Sequence, residues 1–374
     1  MKIRTWMGIA GLTLFFLAFI FGFWYQTRTA SGLETNPGQT EESGRRESHE
    51  KVGKSEPEDE KKDKSFIKWV DFHVTCEAMD LAYDYDVQTK DSQVHLDWIS
   101  LLSYAASKTG GEFGSWKKTA AFIEEAAAGF TDGSLTEEGL LDSLKYYSYY
   151  KEAFEAVLGG MVGDYAAQTT EGGPMEEKYG LKAFLPIAKQ FPYSDYDDFG
   201  VSRSYGYRRR HLGHDMMGQV GTPIIAVESG VVEAIGWNQY GGWRLGIRSF
   251  DQKRYYYYAH LRKDFPYCKT LVEGSVVQAG DVIGYMGRTG YSAKENTNNI
   301  DESHLHFGLQ LIFDESQKEG NGEIWIDCYQ LVRFLYKNRS ETVRDDTTKE
   351  WYRKYEFQDP SALEYKNSKN ALEP

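Results

Sequence analysis

Histidine is scarce in this chain and cysteine scarcer: 374 residues contain 8 His and 3 Cys. Cys76, Cys268 and Cys328 have no metal-type spacing, which excludes a cysteine-built metal site. Three cannot all pair with one another; a Cys268–Cys328 disulfide and small buried hydrophobes are the two readings left open. Positive charge is also short, with 43 Lys and Arg against 56 Asp and Glu and a net charge of −13. That balance speaks against a nucleic-acid partner held through its phosphates. No HExxH occurs, so the helical zinc-protease arrangement is excluded. What is abundant is apolar and aromatic: 41% hydrophobic residues, with 27 Tyr, 20 Phe and 9 Trp, as expected of a globular chain.

The pattern changes several times along the chain. Met7–Tyr25 is a run without a formal charge, about the length that spans a bilayer as a helix, and Lys2 and Arg4 precede it. The expectation is an uncleaved single-pass anchor over 1–25, with a cytoplasmic stub and the bulk of the chain outside the cell membrane. A cleaved signal peptide is the competing reading, with Thr29-Ala30-Ser31 as a passable site. Residues 26–64 are almost devoid of apolar side chains and read as a disordered tether.

From 65 to 180 the period is helical. Leu96, Ile99 and Leu102 share a face, and "WKKTAAFIEEAAAGF" is rich in helix formers. Ser134 with Glu137 has the form of a capping box before Leu140, Leu141 and Leu144. Gly159 and Gly160 stop a helix, and "TTEGGPMEEKYG" reads as a linker. Tyr146, Tyr147, Tyr149 and Tyr150 read as core and surface of a small bundle, with no partner identified. Over 181–337 the period becomes two, in short runs such as "TPIIAV", "GVVEAI" and "YYYYAHL" separated by glycine-containing turns. This indicates an antiparallel β sandwich or barrel, hence an α+β chain overall. A closing helix, "CYQLVRFLYKN", and a polar tail over 338–374 complete it.

Five of the eight histidines fall in the β-rich part. In "DESHLHFGLQ", strand alternation puts His304 and His306 on one face and Leu305, Phe307, Leu309 and Leu311 on the other. Two imidazoles aimed at one spot suggest metal binding or catalysis; a strand carrying two surface histidines is the plainer alternative. "RRRHLGHDMMG" places His211 and Asp215 on one face if the segment is extended. Imidazole and carboxylate are ligands zinc prefers, and a catalytic site uses three with a position open for water. His260 in "YAHL", taken alone, reads as a packed or surface residue.

Together these stretches resemble the lysostaphin-type zinc metallopeptidases (peptidase family M23, LytM-like cell-wall endopeptidases). "HLGHD" matches the family's HxGxD and "GTPIIAVESGVV" its GTPVxAxxxGxV; "YAHL", "VVQAGDVIGYMGRTG" and "HLHF" follow in the family's order. The resemblance covers about residues 190–330. It implies hydrolysis of peptide bonds in bacterial peptidoglycan, with one Zn2+ per chain held by His211, Asp215 and His306. His304 and His260 would be the catalytic histidines and Tyr205 a stabiliser of the transition state, with Tyr207 its rival. His214 fills a variable position and stays outside the ligand set. The polar stretch "RTGYSAKENTNNIDES" is expected to wall the substrate groove. Arg208, Arg209 and Arg210 would either meet acidic peptide groups or be solvated. A catalytically silent member serving as a cell-wall scaffold or activator of other hydrolases is the alternative function.

Overall fold

The computed structural model describes residues 66–204, 208–320 and 322–370, and its element order follows the change of hydrophobic period. Helices Cys76–Thr89, Trp98–Thr109, Trp116–Asp132, Glu137–Ser143 and Tyr147–Leu158 come first. In Trp98–Thr109 the apolar side chains of Trp98, Ile99, Leu101 and Leu102 are buried, and the Asp97 carboxylate caps the helix by accepting from Ser100 N at 2.8 Å. The capping box expected at Ser134 is corrected. Thr136 is the cap, its hydroxyl accepting from Gly139 N at 3.1 Å. Glu137 is instead the first helical residue, and its carboxylate accepts from Ser100 Oγ and Tyr147 OH. The tyrosine stripe divides as expected, with Tyr147 and Tyr150 buried and Tyr146 exposed.

The strands in chain order are β1 (Val162–Gln168), β2 (Met175–Leu181), β3 (Ser202–Ser204), β4 (Arg208–Arg210) and β5 (His214–Met217). Next come β6 (Pro223–Ile225), β7 (Gly230–Asn238), β8 (Gly242–Ser249), β9 (Arg254–Ala259), β10 (Val276–Val277) and β11 (Val282–Tyr285). β12 (His304–Leu311), β13 (Ile324–Ile326), β14 (Thr342–Arg344), β15 (Trp351–Arg353) and β16 (Phe357–Gln358) complete the set. Helix Tyr329–Leu335 follows β13, and helix Pro360–Asn370 ends the described chain. The largest sheet has the order β10-β7-β8-β9-β12-β13, with β5 also on β12, and its pairings are antiparallel as expected.

The stretch expected to be a linker, 169–180, is the turn and second strand of the β1–β2 hairpin, paired from Val162↔Leu181 to Gln168↔Met175. β16 pairs with the other edge of β1, so the polar tail contributes strands to the fold. The described residues fall in one compact unit, and one apolar cluster runs from Met79 and Leu102 through Val157 to Leu245, Phe307 and Phe334. Arg254, fully buried at the start of β9, ties the helices to the sheet. Its Nη1 donates to Glu155 O and Ala156 O at the end of helix Tyr147–Leu158, while Nε and Nη2 donate to the Glu228 carboxylate at 2.7 and 3.1 Å. Gly160 has to lack a side chain because a Cβ there would fall on that carboxylate.

The three cysteines are free; Cys328 is buried, and Cys268 Sγ donates to Val282 O, so the Cys268–Cys328 disulfide is not formed. Among the described residues no helix is long and apolar enough to cross a membrane. The expected span at 7–25, the tether at 26–64, and Tyr205 with Tyr207 all lie outside the described residues.

Candidate metal centre

Three neighbouring strands deliver the site. β12 carries His304 and His306 on one face, and Leu305, Phe307, Leu309 and Leu311 are fully buried on the other. β5 sets Asp215 directly opposite His306, and β9 sets Ala259 opposite it on the other edge, so His260 emerges beside the pair. His211 and Asp215 do not lie along one uninterrupted strand; His211 precedes β5, and Leu212-Gly213 turn its ring back over the sheet. Gly213 is required there. A Cβ would stand 2.6 Å from the His306 imidazole and 2.9 Å from Phe307 O.

His211 Nε2, His306 Nδ1 and Asp215 Oδ1 form a triangle. His211 Nε2 is 3.0 Å from Oδ1 and 2.9 Å from His306 Nδ1, and His306 Nδ1 is 3.0 Å from Oδ1. Two ring nitrogens facing each other at that distance need a proton or a cation between them. Zinc–ligand distances of about 2.0–2.2 Å suit donor atoms so spaced. These three residues are the group among the described residues able to hold a metal, and the donor set fits zinc.

The second pair of histidines is held differently. His260 Nδ1 lies 2.9 Å from Thr289 O and His304 Nδ1 lies 2.9 Å from Glu302 O. Nδ1–H of each donates to a main-chain carbonyl, which leaves Nε2 as the free ring nitrogen. The two rings are 4.8 Å apart, and His304 Nε2 is 3.7 Å from Asp215 Oδ1. His260 holds a left-handed backbone, φ 61°, a conformation uncommon for a residue with a side chain and typical of functional sites.

The electrostatics differ between the pairs. Burial disfavours a charged His211, yet the Asp198 and Asp215 carboxylates outweigh it and raise its pKa to about 9. Burial would also raise Asp215, but His211 and His306 hold its carboxyl far below the usual range. Burial, reinforced by His304 and His306, pushes His260 well below the usual imidazole value and keeps it neutral.

The site opens into a groove of about 990 Å³. Tyr240, Tyr255, Tyr257, Tyr291 and Trp325 line it, and residues 299–302 of the polar stretch before His304 form part of its wall, as expected. Arg209 lies over the rings of Tyr240 and Tyr291 and donates to Tyr291 OH, while Arg210 also lines the groove. The tyrosine run divides by alternation: Tyr256 and Tyr258 are buried in the core, whereas Tyr255 and Tyr257 face the groove.

The structure therefore brings His211, Asp215, His306, His260 and His304 together. It also adds two residues that the sequence did not single out, Asp198 and Arg203. Both touch the triangle.

The model of peptidase family M23 matches residues 209–319. The chain carries a peptidase family M23 domain. It is 38% identical over 131 residues to the L-Ala–D-Glu endopeptidase of Bacillus subtilis (strain 168), across 35% of this chain and 38% of that protein. It is 36% identical over 98 residues to lysostaphin of Staphylococcus simulans, across 26% of this chain and 17% of that protein. Among solved structures, the catalytic domain of that lysostaphin matches at 29% identity and a TM-score of 0.29, covering 38% of this chain and 92% of the domain. The chain thus spans well under half the length of these curated relatives.

Proposed function

We propose that the chain is a zinc endopeptidase hydrolysing peptide bonds within bacterial peptidoglycan, anchored by Met7–Tyr25 with residues 26–374 outside the cytoplasm. The observation that carries the hydrolytic reading is the juxtaposition of two histidine pairs at the head of the groove, one converging on Asp215 and one presenting free Nε2 atoms. The printed activity of the Bacillus subtilis relative, an L-Ala–D-Glu endopeptidase, supports the substrate class.

His211, Asp215 and His306 would hold the metal. Bound zinc supplies a Lewis acid and lowers the pKa of a bound water to about 7. The remaining chemistry belongs to the chain. One of His260 and His304 accepts the proton of the attacking water through Nε2 and returns it to the leaving amine. The other, once it carries a proton on Nε2, joins Tyr205 in donating hydrogen bonds to the oxyanion that develops on the scissile carbonyl. The aromatic side chains along the groove offer a peptide substrate apolar surface to lie against.

The test is hydrolysis of purified cell walls by the purified full chain, with muropeptide products identified and zinc removed and restored. Loss of products on chelation and their return with zinc is expected. A chain carrying one zinc that releases no peptide product would refute the enzyme reading. For the anchor, protease added to wall-stripped cells should remove the folded part, and its survival until lysis would contradict the orientation.

A further inference from the structure

Behind the metal-ligand triangle, on the side away from the groove, sits the carboxylate of Asp198, which is fully buried. A charge that deep is stabilised only by partners, and Asp198 has several. Its Oδ2 lies 3.1 Å from His211 Nδ1, and its main-chain O lies 3.0 Å from the same nitrogen. Arg203 Nη2 donates to Asp198 Oδ2 at 2.8 Å and to Asp215 Oδ2 at 3.1 Å. His214 is bracketed from the same side, with Nε2 2.9 Å from Asp195 Oδ2 and Nδ1 3.6 Å from Asp198 Oδ1. The local backbone fastens the group: Gly200 N donates to His211 O at 2.7 Å and His211 N to Val201 O at 2.9 Å.

Each contact acts on the atom of a ligand that faces away from the triangle. The Asp198 main-chain O and carboxylate both face Nδ1, so His211 carries a proton there, which leaves Nε2 with its lone pair in the triangle. A guanidinium on Asp215 Oδ2 leaves Oδ1 as the one carboxylate oxygen shared with His211 and His306. We infer that Asp198 and Arg203 are positioning residues of the metal centre, Asp198 setting the tautomer and angle of His211 and Arg203 holding Asp215 to a single inward oxygen. His214, the variable position between the two ligands of the motif, braces Asp198 from behind and has no place in the triangle. The inference rests on the zinc reading above.

The test measures zinc affinity of the full chain by competition with a chelator, alongside thermal unfolding of the metal-free protein. Asp198→Asn keeps the shape and removes the charge, and zinc affinity should fall by about 10–100-fold, as when such outer partners of a metal ligand are lost. Arg203→Gln lies at a side chain about one-third exposed, so its fold is the safer of the two; it should weaken zinc towards the lower end of that range. A purely structural role would lower the unfolding temperature of the metal-free variants and leave their zinc affinity as in the parent. That result in both variants overturns the inference while the parent's own zinc binding leaves the peptidase reading standing. Should Asp198→Asn fail to fold, unchanged zinc affinity in Arg203→Gln overturns it alone. A parent that binds no zinc sinks both the inference and the reading on which it rests.

Discussion

His211 and His306 turn ring nitrogens to one carboxylate oxygen, each 3.0 Å from Asp215 Oδ1, whereas His260 and His304 turn Nδ1 to main-chain carbonyls at 2.9 Å. The four rings crowd together, with centroids 4.8 Å apart for His211–His306 and for His260–His304 and 5.8 Å for His260–His306. Distance alone does not separate them. Partner chemistry does. An anionic partner shared by two imidazoles makes a pocket for a cation, while a main-chain carbonyl on the far nitrogen turns Nε2 towards the groove as the ring's remaining nitrogen.

The comparison can be broken most severely at the oxygen the first pair shares. Asp215→Ala removes the anion and one donor atom, so metal content by elemental analysis should fall towards zero and hydrolysis of muropeptides should fall below detection. His260→Ala acts only on the second pair. Zinc should stay near one per chain while kcat/KM drops by about 10²–10⁴-fold, the range for lost acid–base catalysis. The smallest effect on chemistry is expected at Arg254, which touches neither pair but starts the strand that delivers His260. Arg254→Met leaves Glu228 buried without its cation, costing about 3–5 kcal/mol in denaturant unfolding. The folded fraction should still bind zinc, and loss of zinc in that fraction would show that the helix–sheet bond also shapes the metal triangle.

The His304–His306 pair was legible in the sequence because strand alternation is a local rule, whereas His260 and the division into ligands and catalytic histidines came only through the family resemblance. His304 and His306 on one side of β12 and four apolar side chains on the other follow from order alone. The role of Asp198 was not legible. It sits in "DYDDFG" among similar acids, and only the turn through Gly200 back to His211 distinguishes it from Asp195 and Asp197. The hairpin at 169–180 was misread for a related reason. A Gly-Gly-Pro turn looks the same whether it joins two domains or reverses a chain, and the strand that completes the small sheet, β16, lies at the far end of the chain. The helix cap at Thr136 rather than Ser134 is a smaller error of the same kind, a shift of two residues among adjacent polar side chains.

The central claim is that two histidines separated by one residue do different work. Zinc content and hydrolysis of a cross-linked muropeptide, measured in parallel on His304→Ala and His306→Ala, test it directly. The account predicts that His306→Ala loses metal and activity together. His304→Ala should keep zinc near one per chain and lose about 10²–10⁴-fold in activity. Metal lost from His304→Ala and retained in His306→Ala would contradict it.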